Sequence, residues 1–274
     1  MAAFPDTIPL SLAHLSELDV PPLELIELAA RAGFASIGLR VSPASPGGVE
    51  YPLRTAAEQA EMRRRLAANG VSVLEIEMVP LSDTTCVANY KPMLETGAAV
   101  GASRLTVGGD SANFAVVAEK LAEMCELARP YGITVDLEFM PFRPVQSLAH
   151  AVEVLKRARQ PNARILIDAL HVFRSNSAIE QFAAIDPAVL GPFQICDAPA
   201  APPPPEALVT EARTRRLLPG HGELALSTLI DALPAGTRFG VEVPLAGQRP
   251  DLDPGARLAL LVSATREFLK RRNA

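Results

Sequence analysis

Tryptophan is absent, aromatic residues make up 5% of the chain, and there are only 3 cysteines and 4 histidines in 274 residues. So few aromatics leave no stacking platform for nucleic-acid bases, and they suit packed helices better than a β-sandwich. Cys86, Cys125 and Cys196 are odd in number and far apart, which fits neither a disulfide framework nor a CxxC metal knuckle. They are expected to be reduced, buried thiols. A long basic run is also missing: 26 Lys and Arg stand against 31 Asp and Glu, a net charge of −5, so phosphate-backbone binding is excluded as the main activity. No window approaches the roughly 18 uninterrupted apolar residues of a membrane span. Met1 to Leu10 lacks a basic stretch followed by an apolar region, so the expectation is an unexported, cytoplasmic protein without nucleic-acid or membrane partners.

What is present is a 49% apolar chain, enough to bury a full core. Short β-rich runs alternate with longer segments of helical periodicity. The expected strands are Ile8–Ala13, Ser36–Val41, Val71–Val79, Arg104–Val107, Ile133–Glu138, Arg164–Asp168, Phe193–Asp197 and Phe239–Val243. The expected helices cover Leu23–Arg31, Thr55–Asn69, Val87–Val100, Ala112–Arg129, Ser147–Arg159, Ala178–Ile185 and Pro254–Lys270. This pattern predicts an α/β chain forming one domain over residues 1–274, a (β/α)8 TIM barrel. A doubly wound open sheet is the runner-up, but Ser11-Leu12-Ala13-His14 offers no glycine for a phosphate loop after the first strand. The run Pro202 to Pro205 falls in a long loop after the seventh strand, either a stiff lid over the barrel mouth or a surface excursion.

Barrel active sites gather at the C-terminal ends of the strands. There the fifth strand ends on Glu138 and the sixth on Asp168, with His171 three residues on; the seventh carries Gln194 and the eighth Glu242. Three carboxylates converging on one point would repel each other unless they shared a cation. An all-oxygen set suits Mn²⁺ or Mg²⁺, with Co²⁺ able to substitute, better than Zn²⁺. Arg216 and Arg40 are candidate anion ligands for a substrate, and His14, closing the first strand, is a candidate pocket residue. Glu75 and Glu77 alternate on the third strand, with Glu77 nearer the mouth; His221 and His150 receive no functional role.

With these residues in view, the chain resembles the xylose isomerase-like, or sugar phosphate isomerase/epimerase, family of TIM barrels. The resemblance rests on the order Glu138, Asp168, Gln194, Glu242, on Asp168-x-x-His171, and on Arg216-Leu-Leu-Pro-Gly-His-Gly-Glu223. It implies metal ligands at those four strand-end positions, where His is commonest in place of Gln194. Some branches, including 3-dehydroshikimate dehydratases, use Gln there, and they share the Asp-Ala-Pro that follows it here as Asp197 to Pro199. The implied activity is a divalent-metal-dependent isomerase or epimerase acting on a sugar, sugar phosphate or keto-sugar, the partner being a small polyhydroxylated carbonyl compound. It would abstract a proton beside the carbonyl, with Glu138 and Glu242 as base and acid. The alternative enzyme is a dehydratase of a cyclic hydroxy-keto acid with His171 as base; the non-enzymatic alternative is a metal-poor sugar-binding regulator. Members of such families are often dimers or tetramers, so a homo-oligomer is a further expectation, of unspecified number.

Overall fold

The computed structural model describes residues 7–45, 47–175 and 177–273. The N-terminal stretch discussed above therefore lies outside them up to residue 6. Eight parallel strands close in sequence order into a barrel, each hydrogen-bonded to the next and β8 back to β1. They are β1 Leu10–Leu12, β2 Ser36–Arg40, β3 Ser72–Leu81, β4 Arg104–Gly109, β5 Thr134–Glu138, β6 Ala163–Asp168, β7 Leu190–Ile195 and β8 Phe239–Val241. The helices are α1 Pro22–Ala32, α2 Ala56–Asn69, α3 Lys91–Ala99, α4 Phe114–Ala128, α5 Leu148–Ala158, α6 Ala169–Arg174, α7 Leu208–Thr214, α8 Leu226–Asp231 and α9 Pro254–Asn273.

Local chemistry sets the ends of these elements. Thr55 and Glu58 form a reciprocal capping box at the start of α2, each side chain accepting the other's backbone N–H, which satisfies two donors that a helix end leaves open. Gly70 ends the same helix in the left-handed region at φ 65°, where a Cβ would be strained. Between strands and helices, Leu25, Leu121, Val154 and Leu261 are fully buried against the outside of the barrel wall, the burial that drives closure.

Several expected boundaries differ, most of all after β6 and β7. The segment expected as a helix over Ala178–Ile185 is a 3₁₀ stretch, Ile179–Ala184, and the α-helix after β6 comes earlier, as α6. Its cause is Asp168, whose side chain accepts the His171 N–H at 3.0 Å and starts a helix directly at the strand end. After β7 the chain was expected as loop, yet it forms α7 and α8 on either side of the Arg216–Gly222 stretch. Among the described residues no helix is long and apolar enough to cross a membrane. The thiol expectation also needs correcting in part, since Cys125 and Cys196 are buried but Cys86 is exposed.

The barrel interior is polar below its mouth. Arg104 grips both carboxylate oxygens of Asp136, and Thr106 donates to Glu75 Oε2 at 3.0 Å. Gly191 is required beside that pair, because a Cβ there would stand 2.8 Å from the Ile165 carbonyl oxygen and 3.0 Å from Asp136 Oδ1.

Candidate active site

The strand register sets out the site. Asp168 pairs with Gln194 and Gln194 with Gly240, while Glu242 extends β8 by donating its N–H to the Ile195 carbonyl at 3.2 Å. Glu138, two strands from Gln194, pairs with Leu166. Glu138, Asp168, Gln194 and Glu242 therefore form an arc of buried polar groups across four successive strands, as the spacing predicted. Donor atoms of Glu138, Asp168 and His171 lie within 4.8 Å of one another. His171 Nε2 stands 3.6 Å from Glu138 Oε1, in contact but long for a hydrogen bond.

Arg216 enters this arc from the loop between α7 and α8. It is 1% exposed and its guanidinium joins two strand ends: one amino group contacts Asp168 Oδ2 at 2.5 Å and the other Glu242 Oε2 at 2.8 Å. Its Nε–H donates to the Ala212 carbonyl at 2.7 Å. Arg216 was expected at the mouth, free to grip a substrate anion; instead its fork is committed to two of the protein's own carboxylates. Asp197 holds the loop that presents it. Its backbone exchanges two hydrogen bonds with Leu217, and its carboxylate accepts from the N–H groups of Gly220, Gly222 and Leu224 at 3.0, 2.9 and 3.1 Å. A Cβ on Gly222 would lie 2.4 Å from Asp197 Oδ1 and from the Ala198 carbonyl oxygen, so the Pro-Gly-x-Gly pattern follows from how closely this loop wraps the carboxylate.

Burial dominates the electrostatics. It pushes the Glu138 carboxyl well above the usual carboxylate range, helped by the charges of Glu242 and Asp168. Glu242 is likewise pushed up to about 8 by burial, against the pull of Arg216. For Asp168 burial acts upward too, but Arg216 and His171 outweigh it and hold the group below its ordinary value. His171 is lowered to about 4 by burial, with the Arg216 and Arg143 charges adding to the effect, so its ring is neutral near pH 7. Gln194 Oε1 is buried with no hydrogen-bond partner. The oxygens of Glu138, Asp168 and Glu242 and the unpartnered amide oxygen of Gln194 are donors suited to a hard divalent cation, while the Arg216 guanidinium offsets part of the carboxylate charge and offers no lone pair.

A family model described as the xylose isomerase-like TIM barrel matches residues 26–266. The chain belongs to this family. A search of curated proteins by sequence finds no match. Among solved structures, the family fold recurs in the IolI protein with a bound zinc atom, at TM-score 0.78 and 17% identity, over 96% of this chain and 99% of that one. It recurs in D-psicose 3-epimerase crystallised with D-fructose, at TM-score 0.74 and 15% identity, over 97% and 100%. A third is the probable 3-DHS dehydratase AsbF of Bacillus anthracis, at TM-score 0.72 and 14% identity, over 93% and 98%.

Within the family frame the remaining expected site residues separate cleanly. His14 does not face the cleft. Its Nδ1 accepts the Arg40 N–H at 2.9 Å, so Nε2 carries the proton and donates to the Val20 carbonyl at 3.0 Å, and Tyr51 stacks on the ring. It is a fully buried structural residue, and the expected substrate role fails because both ring nitrogens are committed. Arg40 does line the cleft, paired with Glu77 at 3.2 Å on the neighbouring strand. The cleft, a narrow one of about 60 Å³, is lined by Glu138, His171, Arg216 and Glu242 together with Glu77, Arg143 and Arg213. Arg143 and Arg213 do not stand out as site residues in the sequence. Arg143 lies in the β5–α5 loop, where no periodicity marks it; the only signal was its position five residues past Glu138. The Pro-rich loop is anchored, with Arg174 donating to the Pro199 carbonyl at 2.8 Å and Ala200 N–H to Glu223 at 3.0 Å.

Proposed function

We propose that this chain is a divalent-metal-dependent isomerase or epimerase that moves a proton at the carbon beside a carbonyl of a small polyhydroxylated substrate. The observation that carries this reading is the pairing of Glu138 and Glu242. Both are buried carboxyls lining one cleft, and they project from β5 and β8, three strands apart around an eight-stranded barrel, so a substrate between them meets one on each side. Removal of a proton by one and return by the other on the opposite face inverts a carbinol centre, and return to the adjacent carbon interconverts aldose and ketose.

Glu138, Asp168, Gln194 and Glu242 would hold the ion, Mn²⁺ or Mg²⁺ being the best match to oxygen donors. When bound, the ion supplies Lewis-acid polarisation of the substrate carbonyl. The protein's own groups do the rest. Arg216 fixes Asp168 and Glu242 relative to each other and offsets part of the carboxylate charge. His171, beside Glu138, offers its ring to a substrate hydroxyl.

A dehydratase of a cyclic hydroxy-keto acid shares the first proton abstraction. It is favoured by one feature, the buried and unpartnered Nδ1 of His171, a free site on a ring that touches Glu138. The experiment is incubation of the Mn²⁺-supplemented protein in D₂O with D-fructose, D-psicose and 3-dehydroshikimate. Deuterium entering beside a ketose carbonyl supports the isomerase or epimerase reading; a new aromatic ultraviolet band from 3-dehydroshikimate supports the dehydratase. Absence of both with metal bound rejects proton abstraction on these substrates, and absence of both with no stoichiometric metal returns the metal-poor binding protein.

A further inference from the structure

The cleft is lined by acids from the strands and by four arginines, of which Arg40 at the end of β2 pairs with Glu77 and Arg216 with Asp168 and Glu242, leaving Arg143 and Arg213. Arg143 follows β5 and Arg213 sits in the last turn of α7, so both belong to segments that rise beyond the strand ends carrying Glu138 and Glu242. Neither is used up by the carboxylates below. Arg143 pairs through one amino group with Asp110, itself outside the strand-end arc, and it lies over Gly108 at the end of β4, where a Cβ would come 3.6 Å from its Cδ and Cζ. Its neighbour Phe142 meets the His171 ring edge-on at 5.5 Å between centroids, which places Arg143 on the His171 side of the opening. Arg213 is exposed and makes no ion pair with a described residue. A neutral polyol needs no such cations, and arginine forks at a cleft rim match an oxyanion in both geometry and charge.

We infer that the substrate carries an anionic group, a carboxylate or a phosphate, which Arg143 and Arg213 hold at the rim while its carbonyl end reaches Glu138 and Glu242. This rests on the cleft being the active site as proposed above, and it names the substrate class: a hydroxy-keto acid or a sugar phosphate in place of a free ketose. Arg143 and Arg213 are then specificity residues, selecting by charge and not taking part in proton transfer.

The test is calorimetric titration of the full chain, with Mn²⁺ present, by shikimate, D-fructose 6-phosphate and D-fructose. At least one anionic probe is expected to bind about tenfold or more tightly than D-fructose, with affinity falling as salt rises. Arg213→Gln, a change at an exposed side chain, is expected to weaken that probe about tenfold and leave D-fructose unaffected, and Arg143→Gln to do the same provided its melting curve remains cooperative. Preference for shikimate identifies the group as a carboxylate, and preference for the sugar phosphate identifies it as a phosphate. Equal binding of D-fructose, no binding of either anion at millimolar concentration, or unchanged anion affinity in Arg213→Gln overturns the inference. The titration reads binding without turnover, so an anion held by these arginines in a protein that exchanges no proton would remove the proposed reaction and leave the charge selection standing.

Discussion

The guanidinium of Arg216 lies 2.8 Å from Glu242 and at the same time contacts Asp168, so one buried cation ties the end of β6 to the end of β8 across β7. Removing one member of a buried ionic group leaves the others charged and unpaired, which costs roughly 3–5 kcal/mol. Arg216→Met is therefore expected to lower unfolding free energy by about that amount in urea titrations, with Arg216→Lys intermediate because an ammonium cannot reach both carboxylates in a fork. A loss below about 1 kcal/mol, the size of an exposed ion pair, would show that the bridge does not exist in solution.

Glu138→Gln and Glu242→Gln remove the acid and base while keeping side-chain volume. Each is expected to reduce proton exchange into the substrate by about 10²–10⁴-fold. Stability should hold or rise in Glu138→Gln, because burial disfavours that charge in the fold, whereas Glu242→Gln breaks the buried pair with Arg216 and should lose stability. Exchange rates from nuclear magnetic resonance and melting temperatures separate the two effects; exchange that survives either substitution removes that residue from the mechanism.

Gln194 presents a buried oxygen with no partner. Gln194→His would replace an amide oxygen with an imidazole nitrogen and so favour Zn²⁺ over harder ions. After dialysis against equal Zn²⁺ and Mn²⁺, the variant is expected to retain a higher Zn to Mn ratio than the parent chain, measured by elemental analysis. An unchanged ratio would place Gln194 outside the coordination sphere.

Much of this site was legible because barrel strands end where side chains must turn from core to solvent. A short apolar run closing on Glu138, Asp168 or Glu242 is visible in one dimension. The burial of Arg216 was not, because it depends on Asp197 drawing the Gly220–Leu224 backbone inward, and the two segments meet only in three dimensions. His14 misled for a related reason. It follows β1 as a mouth residue would, but its ring turns toward Val20 and the Arg40 backbone, a choice made by hydrogen-bond partners distant in sequence. The short helices α7 and α8 were not legible because seven and six residues make fewer than two full turns, too few to establish a period.

His14 gives a prediction that separates structure from catalysis. His14→Phe leaves the Arg40 N–H and the Val20 carbonyl without their buried partner, at about 1–3 kcal/mol each, with no change in KM for whatever substrate is turned over. Burial lowers the His14 pKa below 6.5, so the unfolded chain binds the proton more readily. The parent should therefore lose stability as pH falls through 6.5, and His14→Phe should lose that part of the acid sensitivity in thermal melts taken from pH 7.5 to 5.5.

Glu75 yields the opposite sign. It lies inside the barrel with Thr106 as its hydrogen-bond donor, and burial, reinforced by the charges of Glu77 and Asp136, pushes its carboxyl up to about 8. Its folded pKa is thus above the unfolded value of 4.5, so its contribution is fully present below pH 4.5 and is lost as pH rises toward 8. Glu75→Gln keeps the acceptor for Thr106 and the shape of the protonated acid but cannot ionise. The variant should gain melting temperature relative to the parent steadily from pH 5 to pH 8, with the difference constant above that. Parallel curves across this range would mean that Glu75 is already ionised in the fold, and that the interior of the barrel stabilises its charge more strongly than Thr106 and Arg104 alone can account for.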